Sequence, residues 1–87
     1  MWRACTELDE GRPGAQHTSI AKTFAAEAVH RVVDRAVQIC GALGVSADAP
    51  LSRLYREVRP FRIYDGPSET HRWAIARRAV KARAALR

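Results

Sequence analysis

Eighty-seven residues, 47% of them apolar, are enough for one folded domain and exclude both a multidomain protein and a disordered chain. Fifteen Lys and Arg against nine Asp and Glu give a net charge of +6, which brings nucleic acid, anionic membrane surfaces and phosphate-bearing ligands into consideration. No apolar run approaches the roughly 20 residues of a membrane span, and "MWRACTELDE" contains no signal-peptide core, so the chain reads as cytoplasmic.

Residues 2 to 10 form a short helical piece in which Trp2, Cys5 and Leu8 recur every third position as a narrow apolar face. "GRPG", residues 11 to 14, ends it. The piece reads as a helix cut off at its beginning. The second helix is the clearest element. Thr18 or Ser19 can act as its N-cap, and Ile20, Phe24, Ala28, Val32, Ala36 and Val37 follow at helical spacing, widened by Val29, Val33 and Cys40. Cys40 reads as a small core residue. Glu27–Arg31 and His30–Asp34 are i,i+4 neighbours on the polar side. Gly41 and Gly44 close the helix.

After the loop "VSADAP", Pro50 opens a third helix, with Leu51, Leu54, Tyr55 and Val58 on one side and Pro60 as its stop. "FRIYDG" is an irregular connector. A fourth helix runs from about Pro67–Ser68 to Leu86, with Trp73, Ala76, Val80 and Ala84 as its apolar face and Ile75 beside it. No strand pattern competes. The predicted fold is all-α: an antiparallel bundle of three main helices plus a short N-terminal one, in a single domain spanning residues 1–87.

Most candidate chemistry has a plain explanation. The two cysteines and three histidines lack metal-ligand spacing. Ser68 and His71, one helical turn apart, lack the orienting acid and oxyanion hole of a nucleophilic pair. After Glu69 the chain carries no acid, while Arg72, Arg77, Arg78, Lys81, Arg83 and Arg87 follow. These charges encircle the helix and form no stripe, and no nucleic-acid motif accompanies them, so they read as a solvated face. Asp65 before Gly66 can be a turn acid bonding nearby amides. It can also be a reactive acid, because Gly66 permits close backbone approach and the last helix offers free N–H groups to an anion.

Two segments, through a resemblance they carry, favour the second alternative. "AKTFAAEAVHRVVDRAVQICGALG" and "PLSRLYREVRPFRIYDGPSETHRWAIAR" resemble, in order and in register, the C-terminal helical domain of acyl-CoA dehydrogenases over about residues 18 to 80. The motifs are Gln38-Ile39-Cys40-Gly41-Ala42-x-Gly44, Arg53-Leu54-Tyr55-Arg56-Glu57 and Tyr64-Asp65-Gly66-Pro67-Ser68-Glu69. The resemblance implies removal of an α-proton from an acyl-CoA thioester and hydride transfer from the β-carbon to FAD, giving a trans-2-enoyl-CoA. It places Asp65 at the position of the general base, where many members carry glutamate. It places Gly66 against the thioester, Pro67, Ser68 and Glu69 toward the flavin, and Gln38, Ile39, Cys40, Gly41 and Ala42 against the adenosine diphosphate of an FAD held by a neighbouring subunit. It also implies a homo-oligomer.

Departures accompany the likeness. Asp65 is one methylene shorter than glutamate, Ala42 replaces a common glycine, and Pro67 replaces a common threonine and gives up its N–H. The family's N-terminal helical and middle β-domains have no counterpart in this sequence, and the resemblance therefore implies that the 87 residues alone are not a working dehydrogenase. The alternative is a stand-alone helical oligomer or binding module that kept the fold and lost the chemistry.

Overall fold

A computed structural model describes residues 1–86. Five helices make up the fold: α1 (Trp2–Asp9), α2 (Ala15–Cys40), α3 (Ala42–Val45), α4 (Leu51–Val58) and α5 (Ser68–Ala85), with a 3-10 turn over Arg59–Arg62 between the last two. No strand occurs among the described residues. The all-α bundle read from the sequence is therefore the observed one. The single turn α3 is an addition to it.

α2 is the spine, 26 residues and about 39 Å long at 1.5 Å per residue. α5 runs antiparallel to its first half: Arg78 donates to Ala15 O and Ser19 Oγ, Gln16 Nε2 donates to Ile75 O, and Glu27 meets Ser68. α4 lies along the second half, where Tyr55 packs on His30 with ring centroids 5.3 Å apart. α1 covers part of the first half from another side. The segment 59–67 crosses α2 between the two partners and carries the chain from α4 to α5.

Local details differ from the sequence expectations, each for a physical reason. α2 starts at Ala15, because Gly14 in the left-handed conformation turns the chain at once (φ 64°) and no side chain caps it. Ser19 is therefore interior and buried, accepting a hydrogen bond from Arg78. Gly41 ends α2, whereas Gly44 is a packing residue: a Cβ there would lie 2.6 Å from Val37 O. His30 packs on Tyr55 rather than pairing with Asp34, and its Nε2 is buried without a hydrogen-bond partner among the described residues. Glu27 pairs with Arg62 and Arg72 from other elements, rather than with Arg31.

The apolar stripes find little cover. Ala4, Ala26, Val33 and Val58 are the buried apolar residues, while Phe24, Val32 and Ile39 on α2 and Trp73 and Val80 on α5 stand exposed. Cys40 is exposed rather than part of a core. α5 meets α2 through Ser68, Ile75 and Arg78, so the face bearing Trp73, Ala76, Val80 and Ala84 points away, and Arg77 lies over the Trp73 ring. The radius of gyration is 17.0 Å, against about 12 Å for a compact chain of this length. The exposed surface is 6650 Å², against about 5,100 Å² for a compact monomer of this mass.

Candidate functional site

The segment between the 3-10 turn and α5 holds Asp65 and Gly66. Pro60 sits in the first turn of the 3-10 piece and its carbonyl accepts from Ile63 N and Tyr64 N, which ends the helical path. The chain then reverses through two residues at positive φ, Asp65 at 51° and Gly66 at 90°. Asp65 is the only non-glycine with positive φ among the described residues. Aspartate tolerates this region better than most residues, at a local cost on the order of 1 kcal/mol. Gly66 suits the positive φ, and a Cβ there would lie 2.5 Å from His71 Nε2, so the imidazole would have to shift to admit one.

Three attachments hold this backbone. Lys22 on α2 donates from Nζ to the carbonyls of Phe61, Tyr64 and Gly66 at 2.5, 3.0 and 2.9 Å. The His71 Nε2 is 3.0 Å from the Asp65 carbonyl. Glu27, five residues beyond Lys22, accepts at Oε1 from Ser68 Oγ (2.7 Å) and Arg62 Nε (2.9 Å), with Arg72 at 3.7 Å. The hydrogen bond from Ser68, then that from Arg62, holds the Glu27 carboxyl below the usual carboxylate range, against partial burial that acts the other way.

Amid these attachments the Asp65 side chain makes no hydrogen bond or ion pair among the described residues. It is exposed, at the rim of an open apolar groove of about 640 Å³ lined by Ala4, Leu8, Ala21, Ala25, Val29 and Phe61. The turn-acid alternative would bond this carboxylate to neighbouring amides. Here the turn is held by Lys22 and His71 instead.

The other sequence-selected residues divide by location. Gly66, Pro67, Ser68 and Glu69 adjoin Asp65 at the start of α5, where no side chain caps the helix. Ser68 is the most buried side chain and its hydroxyl is committed to Glu27. Glu69 is exposed. Gln38, Ile39, Cys40, Gly41 and Ala42 lie at the far end of α2, all exposed, and a Cβ at Gly41 would meet nothing within 4 Å. Ser68 and His71 serve different partners and form no pair. No group of His, Cys, Asp and Glu suited to a metal occurs among the described residues, and none of their helices is long and apolar enough to cross a membrane. Lys22 and Glu27 were not selected from sequence. Their signal was slight: a lysine inside an alanine-rich helix face, and a glutamate with a nearer arginine to pair with.

Sequence comparison gives this geometry a family. The profile of the acyl-CoA dehydrogenase C-terminal domain matches residues 1–80. Among similar proteins, a 3-(aryl)acrylate reductase of Clostridium sporogenes is 38% identical over 93% of this chain and 22% of its own length. The probable acyl-CoA dehydrogenase FadE2 of Mycobacterium tuberculosis is 44% identical over 86% of this chain and 19% of its own. Acyl-CoA dehydrogenase family member 11 of Homo sapiens is 45% identical over 76% and 9%. The chain thus spans about a fifth or less of the length of these relatives. With its all-helical bundle and a profile match covering nearly every residue, the chain belongs to the acyl-CoA dehydrogenase family, in that family's C-terminal domain.

Proposed function

We propose that this chain is the C-terminal portion of an FAD-dependent acyl-CoA dehydrogenase, acting in the cytoplasm as part of a homo-oligomer, and that Asp65 is the base that removes the α-proton of an acyl-CoA thioester. The observation that carries this reading is the isolation of the Asp65 carboxylate. Its backbone is fixed by Lys22 and His71, while its side chain is left free at the rim of an apolar groove. A general base needs reach to the proton it takes and freedom from competing partners.

The residues fit the cofactor in part. When bound, FAD supplies the acceptor for the hydride leaving the β-carbon. The first turn of α5 offers unbonded backbone N–H groups and the positive end of the helix dipole, and Gln38 to Ala42 face outward, as contact with a cofactor held by a neighbour requires. The Ser68 hydroxyl does not fit a direct contact, because it is buried against Glu27. Any approach of Ser68 is therefore through the main chain, whereas the Glu69 side chain is exposed. Asp65 takes the α-proton, and the reverse direction uses the same carboxyl as the acid. Gly66 would meet the thioester through its main chain, since the space its missing side chain leaves is taken by the His71 ring.

The isolated 87 residues supply one wall of such a site and are proposed to be inactive alone. The test is a chimaera in which this chain replaces the corresponding segment of the Mycobacterium tuberculosis relative. Formation of enoyl-CoA by the chimaera, and its loss by about 100-fold or more in Asp65→Asn, is expected. An undiminished Asp65→Asn chimaera overturns the assignment. Turnover by the purified 87 residues with added FAD and an electron acceptor would overturn the claim that they are inactive alone.

A second reading, a helical assembly module without chemistry, draws on the extended shape and exposed apolar faces. A chimaera that folds and binds FAD but forms no enoyl-CoA favours it.

A further inference from the structure

The Asp65 loop is held from outside by one helix, at two points. Lys22 and Glu27 are five residues apart on α2, about 7.5 Å along the axis. Between them they engage residues 61, 62, 64, 66 and 68, nearly every second position of the crossing segment. The two grips differ in kind. Lys22 binds main-chain carbonyls, and its ammonium has three N–H donors for the three it meets. Glu27 binds side chains at both ends of the loop, Arg62 on entry and Ser68 on exit. Residue 65 lies between two of the Lys22 contacts, Tyr64 and Gly66, and it is the one residue there other than glycine held at positive φ.

We infer that Lys22 and Glu27 are positioning residues: together they clamp the loop so that Asp65 is held in its left-handed conformation, with its carboxylate toward the groove. The inference rests on the proposed role of Asp65 for its catalytic meaning, and on the hydrogen bonds alone for its geometry. Three carbonyl oxygens converge on Lys22 Nζ. Without the cation they would face one another with no donor between them, so the loop would open to water. Nothing else in the loop replaces that charge: the one other side chain seen to hold the turn, His71, binds a different carbonyl, that of Asp65.

The test reads loop order separately from chemistry. Amide hydrogen exchange and the imidazole ¹⁵N shifts of His71 are measured on the 87-residue chain and on Lys22→Met, which keeps the aliphatic stem and removes the ammonium. Exchange at the Ile63 and Tyr64 amides, both bonded to Pro60 O, is expected to accelerate about tenfold or more, with the α2 and α4 amides unchanged and the His71 shifts moved toward free imidazole. A uniform rise across all helices, or protection at Ile63 and Tyr64 equal to that of the parent chain, overturns the clamp.

Glu27→Gln covers the case in which Lys22→Met does not fold. It keeps an acceptor for Ser68 but loses the charge facing Arg62, and is expected to loosen the same residues by a smaller factor. Unaltered protection there also overturns the clamp. Asp65→Asn separates the two claims. It is expected to leave loop protection and His71 shifts in place. If it also leaves enoyl-CoA formation by the chimaera in place, the base assignment falls while the clamp stands.

Discussion

Ser68, the most deeply buried side chain, donates its hydroxyl hydrogen to Glu27 Oε1 over 2.7 Å. The bond ties the first residue of α5 to the middle of α2, and so fixes where the last helix begins. A buried hydroxyl bonded to a carboxylate is among the stronger single contacts a small protein makes. Ser68→Ala is expected to cost about 1–3 kcal/mol of stability, read by urea unfolding. A loss below about 0.5 kcal/mol would mean that Arg62 alone holds the junction.

The same contact makes stability sensitive to acid. Ser68 and Arg62 hold the folded Glu27 carboxyl below the usual range, so the unfolded chain takes up that proton first as pH falls. The contribution is present in full above the unfolded value, about 4.3, and is lost as pH falls below it toward the folded value. The melting temperature is expected to drop between about pH 5 and pH 3, and to drop less steeply in Glu27→Gln. Parallel curves for the two proteins would assign the acid loss to other groups.

Two glycines are expected to resist substitution for different reasons. At Gly44 the obstacle is backbone, Val37 O at 2.6 Å and Val37 Cα at 3.0 Å, and Gly44→Ala should cost about 1–3 kcal/mol. At Gly66 the obstacle is the His71 ring, which a second change can remove. Gly66→Ala is expected to destabilise, and adding His71→Ala should recover part of the loss, leaving the strain of positive φ. Thermal melts of the three variants check both statements, and no recovery would place the whole Gly66 effect in the backbone.

The surface beyond that of a compact monomer, roughly 1,500 Å², exceeds the 800 Å² or so that one partner contributes to a standard interface. Light scattering is expected to give a mass that is a multiple of 9.7 kDa. Phe24→Glu or Val32→Glu, on the uncovered stripe of α2, should shift it toward the monomer. A monomer at all concentrations would contradict the homo-oligomer.

The helices were legible in the sequence because periodicity, glycine and proline report local conformation. Gly41 and Pro60 stop their helices where expected, and the last helix begins at Ser68. Burial was much less legible. The stripe from Ile20 through Phe24 to Val32 is apolar at helical spacing, yet little among the described residues covers it, because periodicity shows which face wants cover and not whether cover exists. The clamp was not legible either. Lys22 meets carbonyls 39 to 44 positions away, and main-chain acceptors leave no mark in composition. Asp65 and its neighbours were selected as candidates through the order and separation of three motifs, since Asp-Gly alone marks any turn.

The left-handed backbone at Asp65 also bears on which substitutions could arise there. Glycine, asparagine and aspartate enter this region at low steric cost, and longer side chains enter it less readily. Of those three, aspartate alone carries a negative charge. While the loop keeps this shape, a carboxylate at position 65 is therefore most readily an aspartate. A glutamate on the same backbone would be longer by a methylene and of a residue type that enters this region less readily, so the exchange weighs on the turn that Lys22 and His71 hold as well as on the length of the acid.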